Sequence, residues 1–71
     1  MTPSVRIKLG KKIRALREKR GYTQDVLAEK TGIDYKYIQK IEGKKPPALK
    51  IDTLERLAKV FKISCSKLLE F

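Results

Sequence analysis

Three glycines and a proline pair decide what this chain can become. Gly21, Gly32, Gly43 and Pro46-Pro47 each interrupt an apolar periodicity of helical type, and they divide the sequence into five short segments in which no strand pattern survives. The first segment places Val5, Leu9, Ile13 and Leu16 on one helical stripe, with Ser4 as the expected N-cap and Gly21 as the stop. Ile7 falls off that stripe and finds no role in it. The pattern predicts an all-α chain, a compact five-helix bundle with helices near residues 4–20, 24–31, 35–42, 51–61 and 65–70 in a single domain over 1–71.

The later helix starts are marked by a shared local device, an apolar residue just before the cap matched to another at the fourth helical position. Tyr22 and Leu27 flank Thr23, Ile33 and Ile38 flank Asp34, and Ile63 and Leu68 flank Ser64. Leu49 and Leu54 flank Lys50, a poor cap, but Asp52 in the first turn compensates through the helix dipole. Starts are therefore expected near residues 24, 35, 51 and 65. Helices this short do not stand alone in water. They need the first helix and a face of the fourth, to which Ile51, Leu54, Leu57, Ala58 and Phe61 are assigned.

Composition then narrows the function. With no His, one Cys and acids scattered singly among basic residues, the chain lacks the material for a catalytic constellation or a metal site, and neither an enzyme nor a cofactor is expected. Eighteen Lys and Arg against eight Asp and Glu give a formal charge of +10, which attracts polyanions. The excess is uneven: residues 1–20 hold eight basic residues and one acid, Glu18. A basic run of this kind can be a solvated face, but the total asks for a partner. The single Cys65 makes no internal disulfide, no apolar run follows the basic N-terminus, and none reaches the length of a membrane span, so a soluble cytoplasmic protein is expected. Cys65 itself stands in the first turn of the last helix, either as a small apolar filler or as a thiol activated by the dipole.

The second and third helices carry the strongest geometric signal. Two short helices crossing at a tight turn need a small residue where the backbones approach, a Gly in the turn and apolar residues locking the pair. Ala28, Gly32 and the set Leu27, Ile33, Ile38 and Ile41 meet those needs in register. An ordinary helical hairpin would explain this core but not the charge.

From Leu9 to Leu69 the order of pieces resembles the Cro/C1-type (XRE) helix-turn-helix family of phage repressors, restriction-modification controller proteins and related bacterial regulators. The stretch IRALREKRGYTQDVLAEKTGI, the turn at Gly32, Tyr37-Ile38, Ile41-Glu42, a Gly-Lys, a Pro loop, LERLAKVF and a closing IS..KLL follow one another at nearly the family's spacing. The resemblance implies a lambda-repressor-like fold with a central helix-turn-helix from Gln24 to Gly43, and a transcription regulator that binds double-stranded DNA. The sequence departs from the pattern after Glu42, where Gly43 follows directly and the loop Lys44 to Lys50 is longer than in most relatives.

By the same resemblance, Tyr35, Lys36 and Lys40 occupy base-reading positions on the third helix. The two lysines can donate to guanine or merely touch phosphates, and Tyr35 can stack on a thymine methyl or bond a phosphate. Gln24, Tyr37, Lys44 and Lys45 are implied phosphate contacts, with burial on the fourth helix as the alternative for Tyr37. Arg17 and Glu42 match a family pair that joins the ends of the first and third helices, a structural role. Operator binding as a homodimer is expected, with a seam at Leu68, Leu69 and Phe71 and no small-molecule effector. Two other classes share the fold or the charge: an interaction module such as an antitoxin or adaptor, and a membrane-surface peptide built on the basic first helix. The charge of that helix argues against the first, and its narrow apolar stripe, better used as core, against the second.

Overall fold

The computed structural model describes residues 1–71 and contains five α-helices, α1 Pro3–Lys19, α2 Gln24–Thr31, α3 Tyr35–Ile41, α4 Ile51–Phe61 and α5 Cys65–Leu68. Three of the later helices start where a side-chain oxygen takes an orphan N–H. Thr23 Oγ1 accepts from Val26 N at 3.1 Å, Asp34 Oδ2 from Lys36 N at 3.0 Å, and Ser64 Oγ from Lys67 N at 3.0 Å. Lys50 precedes α4 without a side-chain cap bond, and Asp52 lies in that helix's first turn. The start of α1 corrects the expectation of a Ser4 cap. Thr2 Oγ1 accepts from Val5 N at 3.2 Å and Pro3 takes the first helical position, where its missing N–H costs nothing. At the C-terminal ends, α1 and α3 stop one residue short of expectation and α5 two residues short, at Leu68.

One core joins all five helices: Leu9 and Ile13 of α1, Leu27 and Ala28 of α2, Ile38 and Ile41 of α3, Leu54, Leu57, Ala58 and Phe61 of α4, Leu68 of α5, with Leu49 from the loop before α4. Tyr22, Ile33 and Ile63, the residues just before three of the caps, pack half-buried against it. Two expectations about the edges of this core are overturned. Ile51 is 79% exposed, since it opens α4 one turn ahead of Leu54, the first buried residue of that helix. Leu68 is fully buried in the protomer's own core, so only Leu69 and Phe71 of the expected seam face outward.

Three features fix where α3 sits. Gly32 ends α2 in the left-handed conformation at φ 72°, turning the chain so that Ile38 joins Leu27 in the core and Ile33 packs against it. Gly10 lies against the last turn of α3, where a Cβ would overlap the Ile41 carbonyl oxygen and stand 3.4 Å from its carbon. The loop after α3 is pinned by buried Pro46 and Leu49, so Lys44 and Lys45 are held near the end of α3 although both are exposed. On the far side, the Arg20 guanidinium donates to the Phe61 carbonyl at the C-terminus of α4, where a cation is favoured.

Candidate nucleic-acid interface

α3 divides its residues cleanly between two faces. Ile38 and Ile41 point into the core and Tyr37 is half-buried against it, whereas Tyr35, Lys36, Gln39 and Lys40 are exposed. Their spacing puts these four on one side of two helical turns. Gln39 Nε2 donates to the Tyr35 hydroxyl at 3.1 Å, so the two side chains hold one another across a turn and leave the Gln39 carbonyl oxygen and the ring face available. Gln39 was not among the residues the sequence suggested, yet the four-residue spacing from Tyr35 would have identified it. Amide, hydroxyl and two ammonium groups together offer the donors and acceptors that base edges in a major groove require.

Behind this face lies a shared hydrogen-bonding network. Arg17 Nε and Nη2 donate to the two oxygens of Glu42 at 2.8 Å each, and Nη1 donates to the Tyr22 carbonyl at 2.9 Å. Glu42 Oε1 also accepts from Gln24 Nε2 at 3.3 Å. One forked arginine thus joins α1, the turn before α2 and the residue that caps α3. The fork geometry matches a carboxylate, and its hydrogen bonds to Glu42 raise the Arg17 pKa above its ordinary value despite an opposing desolvation. Only 3% of the Glu42 side chain and 12% of the Arg17 side chain remain exposed, so the pair works away from bulk water.

The suggested phosphate contacts are placed differently from one another. Gln24, half-buried, turns its amide N–H toward Glu42, and what remains for a phosphate is its second N–H and the free backbone donors of the α2 N-terminus. Tyr37 is packed against the core with part of its surface open. Lys44 and Lys45 are exposed, and their backbone N–H groups have no acceptor within the chain. Of the seam residues, Leu69 is 40% and Phe71 52% exposed. No helix is long and apolar enough to cross a membrane.

Comparison with known proteins identifies the fold. The model of the helix-turn-helix domain family matches residues 10–70. Among solved structures, the chain is similar to the restriction-modification controller protein C.AhdI from Aeromonas hydrophila, with 27% identity, a TM-score of 0.81, and coverage of 89% of this chain and 94% of that one. No curated protein matches the chain.

Proposed function

The chain belongs to the XRE-type helix-turn-helix family of Cro/C1-like regulators, and from that membership we propose that it controls transcription by reading operator half-sites with α3 in the major groove. Family and fold both point to a DNA-binding regulator, a class that is normally not enzymatic. The observation that carries the reading is the exposed set Tyr35, Lys36, Gln39 and Lys40 on one face of a helix whose other face is locked into the core. Binding is to double-stranded DNA, with base contacts from this set and backbone contacts from Gln24, Lys44 and Lys45. Two copies act together, because one short helix buries little surface and two symmetric half-sites multiply the discrimination. Leu69, which caps the C-terminus of α5, and Phe71 beyond it are the residues that remain to meet a second copy. A dimer of this kind places its half-site centres roughly 34–36 Å apart.

Selection of duplexes from a random library tests the reading and yields the half-site. Lys36→Ala and Lys40→Ala are then each expected to weaken binding to the selected duplex by about 1–3 kcal/mol, the value of a base-specific hydrogen-bonded pair, with a smaller effect on random DNA. Variants that keep their sequence preference intact would remove α3 from the groove.

A further inference from the structure

Ile7, the residue without a role in the apolar stripe, is shared by two adjoining shallow grooves on the surface. Arg6, Lys44 and Lys45 stand around the first, and Lys11, Arg14 and Glu42 around the second. Together they form a basic strip that begins in the loop after α3, follows one side of α1 and reaches the end of α3. The geometry points to a phosphodiester-binding track: Arg6, Lys11 and Arg14 of α1 hold the DNA strand that passes the C-terminal end of the recognition helix, continuing the contact begun by Lys44 and Lys45. This rests on the reading of α3 as the groove-bound helix.

Several observations favour a phosphate strand as the occupant. The only carboxylate lining either groove, Glu42, has both oxygens engaged by Arg17 and so does not compete for the five cations there. Arg14 makes only a loose, exposed pair with Glu18 at 3.6 Å within its own helix, which a phosphate can replace at little cost. The backbone N–H groups of Lys44 and Lys45 lack acceptors in the chain, and such groups are common phosphate ligands. The C-terminus of a helix carries negative partial charge, so a DNA strand crossing the end of α3 needs compensating cations there. An acidic peptide would need apolar anchors as well as charge, and beyond Ile7 and two prolines the grooves offer none.

The test uses Arg6→Ala, Lys11→Ala and Arg14→Ala, singly and combined, with thermal melting to confirm the fold. Affinity for a random-sequence duplex and for duplexes recovered by selection is measured across a salt series. Each phosphate that a protomer no longer neutralises should lower the log–log salt slope by about 0.9, equally on both DNAs. Between 50 and 200 mM salt, the triple variant should therefore lose about 40-fold less affinity per protomer than the wild type. In a second arm, single phosphates flanking the half-site are replaced by neutral methylphosphonates, which should weaken the wild-type protein and leave the triple variant unaffected. A triple variant with the wild-type slope, or a flank whose neutralisation never weakens the wild type, overturns the track and leaves the groove reading standing. A wild-type chain that selects no duplex overturns both.

Discussion

Replacing Arg17 with methionine asks how much of the fold depends on one buried fork. The substitution keeps the length of the side chain and removes three donors: two to Glu42 at 2.8 Å and one to the Tyr22 carbonyl at 2.9 Å. Glu42, only 3% exposed, would keep a single bond, from Gln24. Leaving a buried carboxylate without its cation costs about 3–5 kcal/mol. Seventy-one residues at ordinary marginal stability provide about 3.5–11 kcal/mol in all. Arg17→Met should therefore lower Tm by on the order of 12–40 °C, or prevent folding at the weak end of that range. The double variant Arg17→Met/Glu42→Leu removes both charges and should recover most of the loss, short of about 1 kcal/mol for the stranded Tyr22 carbonyl. Urea denaturation of the four members of this cycle, followed by circular dichroism, gives the coupling, expected at about 2 kcal/mol or more. The pH dependence has a definite sign. A guanidinium raised above its ordinary pKa contributes fully below the unfolded value and loses its effect only as pH climbs through the folded one, so the difference between wild type and double variant should stay flat from about pH 7 to 10. A single variant costing under about 1 kcal/mol, with no coupling, would show the pair to be as weak as an exposed one and refute the reasoning.

Gly10→Ala should cost about 1–3 kcal/mol in a thermal melt, because the new methyl overlaps the Ile41 carbonyl and either α1 or the end of α3 must move; DNA affinity measured on the folded fraction should fall with it. Lys62 ends α4 at φ 56° without being glycine, so Lys62→Gly should raise stability by about 0.5–1 kcal/mol in urea denaturation. Leu68→Ala should destabilise the fold by about 2–5 kcal/mol, whereas Phe71→Ala should leave stability within about 0.5 kcal/mol and, on the proposal that two copies act together, weaken self-association measured by analytical ultracentrifugation.

The helix starts are legible in the sequence because their signals are local. The cap and its flanking apolar pair around Thr23, Asp34 and Ser64 act within six residues and need no knowledge of the rest of the chain. The Thr2-Pro3 start is equally local, and a preference for Ser4 overlooks the meaning of a proline at the first helical position. What periodicity cannot supply is where the core ends. Ile51 and Leu54 share a stripe, yet only the second is buried, and Leu68 is fully buried while the adjacent Leu69 is 40% exposed. Interactions across helices are hidden for the same reason. A glycine inside a helical pattern signals a cost without naming the backbone that compensates it, and Gln24 reads as a free phosphate ligand until its amide is seen turned toward Glu42.

On the proposal that the exposed face of α3 reads bases, the division of that helix into two faces separates reading from folding. Tyr35, Lys36, Gln39 and Lys40 contribute no buried side chain, while Ile38 and Ile41 contribute nothing to the exposed face. Mutation can therefore rewrite the four outward positions almost without reference to the scaffold, since exposed substitutions typically change stability by no more than about 0.5 kcal/mol. A duplicated copy of this chain would be free to drift toward a new operator one position at a time, passing through intermediates that are folded though indifferent to sequence. The same freedom makes those four positions a compact target for reprogramming in the laboratory, with Arg17 and Gly10 left untouched because they fix the end of α3 in the fold.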